Sequence, residues 1–140
     1  MILDFQVGTS IKGHKILSQF AGRGDDDPSN GENKSKKENL KAPFKYMADA
    51  YLFALMLGLS RGEKKEVKKH KNIFHFNSVQ KDYDIAMLLR LMGKPGDLES
   101  KETAKTAIEQ YATWGLEHMD EHHRLGVDDY RLGTLLLKED

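Results

Sequence analysis

Two clusters of side chains in this chain have the types and the spacing to do chemistry. The first is His118-Met-Asp-Glu121-His122, which fits the zinc-hydrolase spacing H-x-x-E-H. On a helix, His118 and His122 fall one turn apart and both can reach one zinc ion, with Glu121 beside them. A catalytic zinc also needs a further ligand helix and a substrate cleft, and the sequence marks neither. The plainer expectation is a polar helix end where Glu117, Asp120, Glu121, His122 and His123 face water, with adventitious metal binding at most. No metal site is assigned.

The second cluster is basic. Between Arg61 and Lys71 stand Arg61, Lys64, Lys65, Lys68, Lys69 and Lys71 against Glu63 and Glu66, a net charge of +4. The segment has no apolar periodicity, so it is expected to be solvated and open to an anion. If it is helical, its lysines at i, i+1, i+4 and i+5 share one face, suited to a phosphate backbone. Phe74 and Phe76 follow closely; bases can stack on such rings, although burial is their commoner fate. The competing reading is a solvated loop with no ligand. These six basic residues are the candidate nucleic-acid-binding set.

Other reaction chemistries find no footing. There is no cysteine, which excludes thiol nucleophiles, thiolate metal sites and disulfides and fits a reducing compartment. The acids Asp25 to Asp27 fall in a stretch that nothing holds in a catalytic geometry. Asp128 and Asp129 open a helix, where acids favour the dipole without any function. Gly22-Arg-Gly24 and Gly58-Leu-Ser-Arg-Gly62 lack both the lysine and the full spacing of a phosphate loop. No serine sits in a strand-to-helix elbow. The expectation is a protein without catalytic residues or cofactor.

The elements that must position these residues read as mainly helical. Met1 to Val7 alternates like a short strand, and Ser10 to Phe20 forms a weak helix. Residues 21–41 have only Ala21 and Leu40 to bury, so a mobile loop is expected there. Pro43 precedes a central helix from Phe44 to Leu59, whose stripe is Phe44, Ala48, Tyr51, Leu55 and Leu59, widened by Leu52 and Met56. Lys71 to Asn77 again resembles a strand and can pair with Leu3 to Val7 as a two-stranded ribbon. A helix starting near Ser78 or Lys81 carries Tyr83, Ala86, Met87, Leu89 or Arg90, and Leu91, and ends at Gly93, Pro95 and Gly96.

The longest helix spans Ser100 to His123, with Ser100 and Thr103 as a partial N-cap pair. It buries Ala104, Ile108, Tyr111, Gly115 and Met119. Gly115 inside a helix is unfavourable by about 1 kcal/mol against alanine, which points to a close helix contact. A last helix runs from Val127 to Lys138. At 140 residues the whole chain 1–140 is one domain of four to five helices.

The zero net charge hides a split: residues 1–96 hold 17 of 22 bases and 11 of 22 acids, and residues 97–140 hold the rest. A basic part for DNA and an acidic part for a basic protein partner would give this pattern, as would one globule with two solvated faces. No secretory signal opens the chain, and the longest apolar run, Tyr51 to Leu57, is far short of the roughly 20 residues a bilayer requires. A cytoplasmic location with no membrane contact is expected.

Three blocks carry a family resemblance. They are Phe44-Lys-Tyr-Met-Ala-Asp-Ala-Tyr-Leu-Phe-Ala-Leu-Met-Leu-Gly58, Ile85 to Met92 with its Gly-Lys-Pro-Gly exit, and Glu109-Gln-Tyr-Ala-Thr-Trp-Gly-Leu-Glu117. Their order resembles the small Dnd system-associated proteins, encoded beside bacterial DNA phosphorothioation and restriction genes. The resemblance covers roughly residues 43–120. It departs at Thr113-Trp114, where that family tends to have Asn-Gly, and in the 21–41 loop, which looks like an insertion. It implies a context of DNA modification and defence, and no catalytic residues. The expected function is a non-enzymatic accessory that contacts DNA or a protein from the same gene cluster. The rivals are a metal-dependent hydrolase using His118, Glu121 and His122, and a helical adaptor that binds protein only.

Overall fold

The chain runs β1 (Gln6–Ser10), α1 (Ile11–Phe20), α2 (Met47–Arg61), β2 (His70–His75), α3 (Phe76–Gln80), α4 (Ile85–Met92) and α5 (Lys101–Arg124). The computed structural model describes residues 3–21, 44–80 and 84–124. The expected helix from Val127 to Lys138 and all but Ala21 of the expected loop 21–41 lie outside them. The architecture is mainly helical with a two-stranded antiparallel ribbon, as the sequence pattern implies.

Helix α2 is the centre of the core because it has almost no polar face. Met47, Ala48, Ala50, Tyr51, Ala54, Leu55, Leu57, Gly58 and Leu59 are all buried. Burial extends beyond the expected stripe toward Met47, Ala50, Ala54 and Leu57, while Leu52 and Met56 stay half-exposed. Phe44 precedes the helix and packs on Phe53 with ring centroids 5.6 Å apart. Its N–H donates to the Phe20 carbonyl, and Ala21 and Phe44 form an isolated bridge. Gly62 ends the helix with φ 66°, and the N–H groups of Gly62 and Glu63 return to Leu59 and Gly58. That pair of bonds is a Schellman cap, which needs the left-handed residue glycine supplies.

Helix α5 crosses α2 at unusually short range. A Cβ on Gly58 would stand 2.3 Å from the Tyr111 carbonyl oxygen, and one on Gly115 would stand 2.0 Å from that of Ala54. Two missing side chains on facing helices thus let the backbones touch, as Gly115 alone suggested. The start of α5 is a reciprocal cap. The Thr103 N–H donates to Ser100 Oγ at 3.1 Å and the Ser100 N–H to Thr103 Oγ1 at 2.8 Å. Threonine here fills the place glutamate takes in the usual capping box.

The ribbon is shifted from its expected place. Its pairs run from Gln6↔His75 to Ser10↔His70, with a bulge between Val7 and Gly8. The N-terminal strand therefore starts later than the apolar alternation of Leu3, Phe5 and Val7 suggests. The reason lies in the helices beside it: Gly8 finds buried polar partners in Glu109 and Tyr51, and Thr9 in Thr113, so polar groups occupy the strand. Ser10 then caps α1 by accepting from the Gly13 N–H at 3.0 Å.

The expected single helix after Ser78 is two pieces. Asp84 caps α4 by accepting from the Met87 N–H. With eight residues, α4 buries only Ile85 and Leu89, leaving Met87 and Leu91 exposed rather than in the core.

Candidate nucleic-acid interface

The basic segment leaves the α2 cap without forming a helix. Residues 63–68 take no regular structure, so the lysine face that a helix would create does not exist. Instead the segment lies along α5, with the Lys65 N–H donating to the Gln110 carbonyl at 3.1 Å. Lys64 turns inward. Its Nζ donates to Asp97 at 2.6 Å and lies 5.1 Å above the Tyr111 ring.

Asp97 is buried and also accepts from the Tyr111 hydroxyl at 2.7 Å and the Lys94 N–H at 2.8 Å. Burial alone would push its pKa up, but the bonds from Lys64, Tyr111 and Lys94 outweigh it and hold the carboxyl below its ordinary value. Burial and the Asp97 carboxylate push Tyr111 up to about 12. Lys65 pairs with Glu117 on α5, and Lys12 of α1 approaches the same carboxylate at 3.5 Å.

The later lysines do the opposite. Lys68, Lys69 and Lys71 are exposed and have no ion pair with a described carboxylate. Lys69 has φ 53°, an uncommon left-handed geometry for a lysine, and there the chain turns into β2. The Ile11 N–H donates to the Lys69 carbonyl at 3.2 Å, which ties this turn to the start of α1. Lys12 is thereby brought to Lys68 and Lys69 around a cavity of about 270 Å³. Lys71 lies near enough to His14 that its charge, after burial, helps lower the imidazole pKa. Arg61 sits half-buried in the last turn of α2, where its charge acts on His118.

Beneath this surface a buried polar network sets the position of β2. Glu109 of α5 is buried and accepts from the Gly8 N–H at 2.8 Å, from His70 Nε2 at 2.7 Å and from Lys105 at 3.0 Å. Lys105 also donates to the Gln6 carbonyl and to Asn72. Thr9 and Thr113 share a 2.6 Å hydroxyl contact, and the Tyr51 hydroxyl donates to the Gly8 carbonyl at 2.7 Å. Each buried polar group has a partner, so the arrangement stabilises one register instead of penalising burial. Through His70, sandwiched in sequence between Lys69 and Lys71, the core fixes where the exposed lysines stand.

Phe74 and Phe76 are core residues. Phe74 meets Tyr51 edge-on and Phe76 stacks on Phe5, so neither ring is open to a base. His118 stacks on Trp114 with centroids 4.7 Å apart and planes 11° apart. Burial first, then the Arg61 charge, lower its pKa. Among the described residues no group of three or more His, Cys, Asp or Glu side chains is placed to hold a metal ion. Asp25 to Asp27 and Asp128 with Asp129 lie outside those residues. No helix among the described residues is long and apolar enough to cross a membrane.

Pattern reading found six of these positions, Arg61 to Lys71, as one run and missed what sorts them. Lys12, Asp97, Glu109 and Glu117 decide which lysines face inward and which outward. Only Lys12 could have been added from the sequence, since the Ser10 cap starts a helix with Lys12 in its first turn.

A model of the protein family described as DNA sulphur modification system-associated protein 4 matches residues 32–140. The match reaches beyond the 43–120 span of the resemblance and takes in the later part of the 21–41 segment. No curated protein and no solved structure matches the chain significantly.

Proposed function

The chain belongs to this family of DNA sulphur modification system-associated proteins, and from that premise we propose that it is a non-catalytic, cytoplasmic accessory that touches DNA. The contact surface is the patch of Lys68, Lys69 and Lys71 with Lys12 beside them. One observation carries the reading: Lys68, Lys69 and Lys71 are exposed, beside a buried network and without a described carboxylate partner, while Lys64 and Lys65, and at longer range Lys12, already have carboxylate partners. Lysines that must release a carboxylate before meeting a phosphate gain little from the exchange. Lysines without one release counterions from DNA on binding, which is the main source of affinity for a backbone. The defence role and the phosphorothioate chemistry belong to the system the family accompanies, and the chain's part in it is to hold DNA for a catalytic partner encoded with it.

The test is duplex binding as a function of salt. With three or four phosphate contacts, log K should fall with log salt at a slope of about −3. Replacing Lys68, Lys69 and Lys71 together by Gln should weaken binding at least about tenfold and flatten the slope. No binding at about 50 mM salt would sink the reading, because phosphate contacts are strongest there. Capture of a cluster-encoded protein without any duplex binding would favour the protein-only adaptor instead.

A further inference from the structure

A second cavity, of about 450 Å³, shares Lys12, Lys65 and Glu117 with the lysine-lined one. Its size falls within the range of small-ligand sites. One wall is a single face of α5, where Trp114, Glu117, His118 and Glu121 recur at helical spacing. Three different chemistries meet there. The Trp114 and His118 rings form a parallel stack. At its edge, two lysines converge on Glu117. One turn further on, Glu121 is exposed at the same cavity. Burial first, then Arg61, disfavour the charged form of His118, so the stack is an aromatic platform more than a cation.

An aromatic platform and an exposed carboxylate on α5, with Lys12 and Lys65 at the same cavity, are the complement of a nucleotide. A flat base stacks on the rings, and phosphate attracts the lysines. Three carboxylates line the cavity; Glu117 is engaged by the lysines and Asp120 is half-buried, so the exposed Glu121 decides which base. It only accepts hydrogen bonds, and guanine alone presents two adjacent N–H donors, N1–H and N2–H, on its Watson–Crick edge. Two parallel bonds to one carboxylate form the strong bidentate arrangement. A paired guanine hides that edge, so the base must be unpaired, extruded or free.

We propose that the Trp114 cleft binds an unpaired guanine, stacked beside the Trp114–His118 pair and read by Glu121, with Lys12 and Lys65 beside its phosphate. The proposal rests on the nucleic-acid reading above, since the cleft and the lysine patch share Lys12. Lys12 and Lys65 stay beside Glu117 and attract the phosphate from there, so most of the affinity comes from stacking and the Glu121 pair.

The chain has one tryptophan, so its indole N–H resonance reports this cleft alone. The full chain is titrated with dGMP, dAMP, dCMP and dTMP, and with an oligothymidine carrying one central guanine or none. The expected result is a saturable shift with dGMP at least about tenfold tighter than with dCMP or dTMP, the size of one bidentate pair. Glu121→Gln should remove the preference for guanine while a weaker shift from stacking remains. A tighter fit to the guanine-bearing oligonucleotide than to dGMP identifies a base within DNA; equal affinity identifies a free nucleotide. The proposal is overturned by no saturable shift with any of these, by equal affinity for all four bases, or by an unchanged preference in Glu121→Gln. A shift produced only by an arginine-rich peptide also overturns it, because a guanidinium would then be the ligand. Duplex binding is measured on the same samples: if it survives Lys68, Lys69 and Lys71 intact while the cleft fails, only this proposal falls. If duplex binding is absent and dGMP still binds, only the earlier reading falls.

Discussion

Lys64 and Lys65 stand four residues before Lys68 and Lys69, in the same run of charge, yet the two pairs have opposite fates. The earlier pair points at α5 and the turn before it, where Asp97 and Glu117 wait. The later pair points at solvent. Nothing in the residue types separates them. What separates them is distant: a buried aspartate 33 residues after Lys64, and a helix that two glycines hold against α2. A run of lysines therefore does not define a ligand surface until its local carboxylates are known. The difference also divides the segment into a structural half and a binding half, and each half can be attacked separately.

The largest effect should come from the helix contact that places both carboxylates. Gly115→Ala drives a Cβ into the Ala54 carbonyl, and backbone cannot yield as a side-chain tip would. We expect a loss of about 3 kcal/mol in chemical denaturation, at the top of the range for overpacking. If α5 shifts enough to relieve the clash, Lys64 and Lys65 lose their partners and the two halves of the segment should become equally exposed to lysine modification. Unchanged stability would mean that the crossing is looser than the geometry states.

Next in size is Asp97→Ala, which strips the structural half of its main partner. It leaves the Tyr111 hydroxyl and Lys64 without their acceptor and the Lys94 N–H with only the longer bond to the Tyr111 hydroxyl at 3.3 Å, at an expected cost of about 2 kcal/mol. Duplex binding should not weaken, and freeing Lys64 could raise it slightly. The same group gives a pH signature. Its folded pKa lies below the ordinary 3.8, so its contribution is complete above that value. It is lost as the pH falls through the lower folded pKa. The acid loss should shrink in Asp97→Asn. His118 has the opposite chemistry but the same direction: lowered from 6.5, it disfavours the folded state progressively as pH falls below that value.

For the binding half, the triple change of Lys68, Lys69 and Lys71 to Gln should leave stability within about 0.5 kcal/mol, as for surface residues generally. Its whole effect should appear in DNA affinity, about tenfold or more at low salt. A stability loss as large as that of Asp97→Ala would erase the distinction between the halves.

The parts of the molecule that sequence pattern made legible are those governed by local rules. The apolar helix, the Ser100–Thr103 cap and the close approach at Gly115 each follow from a few adjacent residues. The ribbon register was misplaced because polar Thr9 and Gly8 are stabilised by Thr113 and Glu109, more than 100 residues away. The α4 stripe was too generous because eight residues bury one narrow face, and Met87 looks the same exposed or buried. The candidate site was half legible for the same reason. Basic residues announce themselves, but the carboxylates that neutralise some of them arrive from elsewhere in the fold.

The smallest effect tests the boundary between the halves. Lys65 is 51% exposed and shares Glu117 with Lys12, so its ion pair is close to a surface pair. Such pairs contribute about 0.2–1 kcal/mol and weaken with salt. Lys65→Gln should therefore cost less than about 0.5 kcal/mol, because Lys12 remains to compensate Glu117. If Lys65 is structural, as its pairing indicates, duplex affinity should change less than about twofold, far below the loss from the triple lysine change. If Lys65→Gln instead lowers duplex affinity as much as Lys68→Gln alone, the boundary moves. Lys65 would then exchange Glu117 for phosphate on binding, and only Lys64, locked over Tyr111 by a buried aspartate, would belong to the structural half.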